Sequence, residues 1–245
     1  MRVRGRRECQ DCGRRWSYYR TGSVECPGCG SLRSVGVDDR TRHTDGAPAL
    51  DLSAYRDDAP EGLDAVAADL TEALRTYVRR RGFIVGGDLR EPDDRYLCAR
   101  ELRQALSDVE RGHADRVAAV GDGGATDRYL LALFRVADGD EAAERPGPAR
   151  VPERFHPARG LAYATALATH RSEAATYLDD HPDPSVRTAM GRLRDRVARV
   201  EALDGDVTPE HVETLVRAAR ELTRAATDGD EAALSAARDR LSTFE

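Results

Sequence analysis

The sequence predicts a mainly α protein: a small N-terminal four-cysteine β-ribbon followed by an all-α helical body. Three observations carry that prediction. Four of the five cysteines fall in two Cys-x-x-Cys pairs within residues 9–30. From Leu63 to Leu241 apolar residues recur at three-four spacing, the period of a helix with one buried face. Gly and Pro stand at the ends of those periodic segments, where helices start and stop.

The cysteine pairs read Cys9-Gln10-Asp11-Cys12-Gly13 and Cys26-Pro27-Gly28-Cys29-Gly30, with thirteen residues between Cys12 and Cys26. Each pair supplies two thiolates from one tight turn, and four together match the tetrahedral sulfur set that zinc prefers. Gly13 and Gly30 follow the second cysteine of each pair, where positive φ lets backbone amides turn toward sulfur. Pro27 pre-sets the second turn. The expectation is one Zn(2+) per chain, held by Cys9, Cys12, Cys26 and Cys29. Four protein ligands leave no open coordination position, so the metal is structural rather than catalytic. Redox dithiols would need a βαβ context, and none precedes either pair. Disulfides would need an oxidising compartment.

Between the pairs, Trp16, Tyr18 and Val24 are spaced as one face of a short β-hairpin that turns at Thr21-Gly22-Ser23. Over about residues 5–34 this arrangement resembles the zinc ribbon family, specifically the ribbon at the N-terminus of archaeal and eukaryotic transcription factor B. The resemblance implies a metal-held fold. Ribbons of this type also serve polymerase subunits, ribosomal proteins and unrelated enzymes.

Composition sets the bounds. The chain has 245 residues, 33% charged and only 5% aromatic, enough for one or two domains. The densest apolar run, Tyr129 to Phe134, is far short of a membrane span. The basic start has no apolar core behind it, so the sequence predicts a cytoplasmic protein. Lys and Asn are absent, Ile84 is the only Ile, and 27 Asp outnumber 17 Glu. That bias suggests a GC-rich, salt-loving source, and in style and layout the whole chain resembles uncharacterised zinc-ribbon proteins of haloarchaea. Charge is uneven: residues 1–42 carry ten Arg against five acids, and the remainder 28 Arg against 39 acids.

In order, the expected units are a ribbon at 1–34, a linker at 35–58, a helical region at 59–143, a Pro-rich hinge at 144–157 and a helical hairpin or bundle at 158–245. The linker is polar and aperiodic, with a short strand near Leu50–Leu52. Pro60 suits the start of a helix whose face is Leu63, Val66, Leu70, Leu74, Tyr77 and Val78, ended by Gly82. Residues 83–87 form an apolar plug with a small strand. Pro92-Asp93-Asp94 opens a helix to about Arg111, with Cys98, Leu102, Ala105, Leu106 and Val109 inward. Cys98 there reads as a small core residue. Val117 and Val120 mark a short helix ending at Gly121–Gly124. Residues 126–137 form a densely apolar helix, read as the most buried one.

Four prolines in 144–157 exclude regular structure. Helices follow near 158–179, 184–203, 208–227 and 230–244. Asp183-Pro184 and Thr208-Pro209 are N-cap and first-turn signals. Asp-Gly-Asp recurs at 138, 204 and 228; the acids of a calcium loop are missing, so Gly is read as a helix stop and the second Asp as the next cap.

The six His include no His-x-x-x-His pair. His170 with Glu173 and His181 with Asp179 read as chance neighbours on a charged surface, and no constellation marks a catalytic centre or a small-molecule substrate. The expectation is a non-enzyme, with an enzyme of unknown activity as the third reading. Two binding readings compete. In one, the ribbon meets nucleic acid or transcription proteins: Arg14, Arg15 and Arg20, with Arg2, Arg4, Arg6 and Arg7, contact phosphates while Trp16, Tyr18 and Tyr19 stack on bases. In the other, those aromatics are the ribbon's own core and the protein is a scaffold. Seven phosphate contacts imply a salt slope near −6, roughly a millionfold weakening per tenfold rise in salt, which favours stacking or protein contacts in a salt-rich cell.

Overall fold

The structure is a computed structural model that describes residues 1–46, 50–57, 59, 63, 66–108 and 124–243. Its N-terminal module holds five short strands: β1 (Arg2–Arg4), β2 (Arg6–Cys9), β3 (Arg15–Ser17), β4 (Ser34–Gly36) and β5 (Arg40–Arg42). β2 lies between β3 and β4, antiparallel to both, and β1 pairs with β5. The hairpin expected at Trp16–Val24 is not formed. Trp16 is on β3, but Tyr18–Thr21 winds into one helical turn, α1, stopped by Gly22 in the left-handed region. The hairpin instead closes across the first cysteine turn, pairing Arg7 with Trp16.

The stretch 35–58 holds more order than its composition suggests. β4 ends and β5 lies within it, while Leu50 and Leu52 are buried without forming a strand. The chain there makes a 3-10 turn, Ser53–Tyr55.

The body has seven helices among the described residues: α2 (Ala67–Arg80), α3 (Asp94–Asp108), α4 (Ala125–Asp138), α5 (His156–Asp180), α6 (Pro184–Ala202), α7 (Pro209–Asp228) and α8 (Glu231–Ser242). A small hairpin, β6 (Ile84–Val85) with β7 (Asp88–Leu89), fills the predicted plug between α2 and α3. The expected helix start at Pro60, the continuation through Val109 to Arg111, and the short helix at Val117, Val120 and Gly121–Gly123 lie outside the described residues.

Local chemistry explains the boundaries. Asp183 accepts from the amides of Ser185 and Val186, Thr208 from His211, and Asp230 from Ala233, so each N-cap meets orphan N–H groups. Gly139 and Gly229 are left-handed C-caps. The first two Asp-Gly-Asp repeats depart from the predicted pattern: Asp140 bonds its own turn at Ala142, and Thr208 rather than Asp206 caps α7.

α3 is the central helix, in contact with α2, α4 and α5; α5 continues to α6 and α7, and α7 packs on α8. Ten of the fifteen α3 residues are buried, against seven of fourteen in α4, so α3 rather than 126–137 is the most enclosed. Its polar residues Arg100 and Glu101 are buried too, which an apolar-stripe reading overlooks. The Pro-rich stretch makes two 3-10 turns, Pro148–Arg150 and Glu153–Phe155. Arg145 fastens it to Asp94, Tyr163 and Glu213, on α3, α5 and α7. One apolar cluster runs from Leu50 to Leu241 and takes no residue from the N-terminal module. Among the described residues no helix is long and apolar enough to cross a membrane.

Candidate metal centre

Two matching turns bring the four cysteines together. β2 ends at Cys9, whose amide donates to Arg14 O at 2.9 Å, while Gly13 N donates back to Cys9 O at 3.0 Å. The second turn repeats the pattern: Cys26 N to Ser31 O at 2.9 Å and Gly30 N to Cys26 O at 2.9 Å. Gly13 and Gly30 both sit at φ 71°, a conformation that a Cβ disfavours. Asp11 crosses between the turns, accepting from Arg33 Nη1 at 3.0 Å and from the Ser31 hydroxyl. The Gln10 amide adds a bond to Arg33 O at 2.8 Å.

The result is a compact sulfur set. Cys9 Sγ and Cys29 Sγ are 3.6 Å apart, as are Cys12 Sγ and Cys26 Sγ, and all four lie within 4.8 Å of one another. A disulfide at ~2.05 Å is far shorter, and all five thiols are free. Cys9 and Cys26 are buried, whereas Cys12 and Cys29 face solvent. Burial pushes the Cys26 thiol up, but the amides of Cys29 and Gly28 outweigh it and bring it down to about 6. The Ser31 amide pulls Cys29 down, but the crowding thiols of Cys12 and Cys9 push it up to about 12. Four sulfurs this close resist losing all their protons without a cation between them. The four cysteines can therefore hold a metal ion. Cys98 is remote from them, fully buried on α3, and its thiol is pushed well up by burial.

The other predicted residues divide. Arg15 pairs with Glu8 at 2.7 Å, Arg7 is tied to Ser34, Arg4 to Asp38 O and Arg2 to Asp180. Among the described residues the guanidiniums of Arg6, Arg14 and Arg20 have no hydrogen-bond or ion-pair partner. Trp16 is half-buried, with Nε1 donating to Ser23 O at 3.2 Å. Tyr18 and Tyr19 both pack against His43. Tyr19 also bonds Thr41 at 2.5 Å and fills space that a Cβ on Gly5 would occupy. The imagined acid–base pairs do not form: Glu173 bonds the Phe83 amide and Thr44, His170 bonds Thr223, and Asp179 pairs with Arg187.

Sequence reasoning missed the polar heart of the body. Glu101 accepts from Arg159 Nε at 2.6 Å, from Tyr163 OH at 3.0 Å and from Tyr129 OH. Arg145 then links Tyr163 to Glu213, with Nη1 and Nη2 donating to the two carboxylate oxygens at 2.7 and 2.9 Å. The only local signal is a Glu between Cys98 and Leu102 on an otherwise inward face.

Fold and site together define a mainly α protein with an N-terminal module whose four cysteines could hold a metal ion. The chain belongs to the family of unknown function DUF7117, whose model matches residues 1–241, module and body together. A search of curated proteins and a search of solved structures gave no match.

Proposed function

We propose that this is a zinc-binding, non-enzymatic protein of the cytoplasm whose ribbon contacts nucleic acid or the transcription machinery. Zinc suits the donor set: tetrahedral Zn–S bonds of about 2.3 Å place sulfurs about 3.8 Å apart, close to the separations here. Four thiolates would fill its coordination shell and leave no position for substrate. The observation that carries the binding reading is the free charge on the module. Arg6, Arg14 and Arg20 have no hydrogen-bond or ion-pair partner among the described residues, and Arg14 and Arg20 lie close in sequence to the half-buried Trp16. Unpaired arginines can meet phosphates, and an aromatic ring on the same module can stack on a base.

A second reading has its own support. Tyr18 and Tyr19 are engaged with His43, and Tyr19 with Thr41, so two of the three ribbon aromatics brace the module instead of facing a ligand. That favours a scaffold in which the ribbon braces the body.

Trp16 is the only tryptophan, which makes its fluorescence a direct probe. Single-stranded DNA and RNA should quench it at the salt where the protein is folded, and Arg14→Ala with Arg20→Ala should remove the effect. Unchanged fluorescence, with only protein recovered from nuclease-treated native extracts, would reject nucleic acid in favour of the scaffold.

A further inference from the structure

A second basic site lies where the module meets the body. β1 and β5 put Arg2 directly opposite Arg42, and like charges so placed repel. Arg2, Arg40 and Arg42 line one side of a cavity of about 370 Å³. Across it stand Asp88, Asp180 and His181. One carboxylate serves two guanidiniums: Asp180 Oδ1 meets Arg2 Nη2 at 3.0 Å and Oδ2 meets Arg42 Nε at 3.1 Å. Arg40 has no acidic partner among the described residues and is exposed.

We propose that this cavity binds a phosphate group, held by Arg2, Arg40 and Arg42. Three guanidiniums face two carboxylates, so the cavity has positive charge to spare. Guanidinium forks match phosphate oxygens, and a phosphate has enough of them to serve all three. Asp180 is the last residue of α5, where the helix dipole opposes a carboxylate, but its hydrogen bond to Arg42 holds its carboxyl below the usual range, so it occupies the cavity as an anion with which a phosphate must compete. The volume falls within the range of small-ligand pockets, roughly 300–1,000 Å³. A surface salt bridge alone would account for Arg2, Arg42 and Asp180, but not for Arg40 or the cavity.

The exposed His181 ring stacks on Tyr177, centroids 4.2 Å apart, and offers its outer face to a base. The phosphate therefore has two sources, free or nucleotide-borne. This inference does not rest on the nucleic-acid reading, because Arg14, Trp16 and Arg20 do not line the cavity.

The test is calorimetric titration of the full, metal-loaded chain with pyrophosphate, a nucleoside diphosphate and a short single-stranded oligonucleotide. Arg40→Gln, which breaks no internal bond, should weaken binding about tenfold. Asp180→Asn should tighten it several-fold by removing the competing carboxylate, an effect that a purely structural salt bridge would not produce. A gain for the nucleotides that His181→Ala abolishes assigns the site to a nucleotide; equal affinities assign it to phosphate itself, and either supports the proposal. No binding of any probe, an unaffected Arg40→Gln, or weaker binding by Asp180→Asn overturns it.

Discussion

Glu101 and Arg159 face each other across the core, both side chains fully enclosed, with Nε and Oε1 2.6 Å apart. Their attraction offsets much of the cost of taking two charges out of water because the tyrosine hydroxyls of 129 and 163 and the Pro146 carbonyl take up most of the remaining bonding capacity, although Arg159 Nη1 has no hydrogen-bond partner among the described residues. Removing one partner should cost far more than the pair contributes. Arg159→Met is expected to destabilise by about 3–5 kcal/mol in urea denaturation, and adding Glu101→Gln to recover part of that loss. Equal stabilities for the single and double variants would show that the two charges are not coupled.

This pair also marks where the sequence stops being informative. The helix caps at Asp183, Thr208 and Asp230 are local, because each acceptor sits two or three residues from its donor. The cysteine turns are local for the same reason. Glu101 meets Arg159 from 58 positions away, and its place on an inward face signals burial without naming that partner. The strands fail for a related reason. β1 and β5 read Arg-Val-Arg and Arg-Thr-Arg, with too little apolar alternation to reveal a pairing between residues 2–4 and 40–42. The Trp16–Val24 hairpin fails because Gly22 caps a helical turn instead of closing a strand pair.

His170 should set a pH limit on the body. Burial pulls its pKa from 6.5 down to about 4. The Thr223 hydroxyl already donates to Ala219 O, so His170 Nε2–H donates to it, which sets the tautomer of the ring that burial keeps neutral. A base whose folded pKa is depressed contributes stability above its unfolded value and loses it as pH falls. Stability should therefore drop between pH 6.5 and about 4, by up to a few kcal/mol, and then level off. His170→Gln should flatten that window relative to the parent; parallel pH profiles would contradict the assignment.

Two glycines should respond in opposite directions. A Cβ on Gly160 in α5 would lie 2.1 Å from Gly205 O, which is backbone and cannot swing away. Gly160→Ala should cost at least about 2 kcal/mol despite a better helix propensity. Gly191 in α6 has nothing within 4 Å of the same position. Gly191→Ala should stabilise by up to about 1 kcal/mol. Thermal melts of both would test the close approach of α5 to the α6–α7 turn, and a neutral Gly160→Ala would refute it.

The last prediction concerns how far the metal's influence reaches. Four of the module's own apolar side chains hold little of it together: Val24 is 43% exposed, Leu32 72%, Val35 44% and Val37 46%. Units below about 40 residues rarely bury enough surface to fold unaided, and structural zinc supplies on the order of 10–16 kcal/mol. The body's apolar cluster begins at Leu50. Its ties to the module include hydrogen bonds and ion pairs, Thr44 to Glu173 and Arg2 and Arg42 to Asp180. A strong chelator, or Cys26→Ser, should therefore expose the turn amides of Cys9, Gly13, Cys26 and Gly30 to hydrogen exchange while residues 67–80 and 94–108 stay protected. Such bonds are too weak to carry unfolding of the module into the helices, since exposed ion pairs contribute roughly 0–1 kcal/mol each. Loss of protection in α2 and α3 at the same chelator concentration would mean that Tyr19, Thr44 and their partners fuse module and body into one cooperative unit.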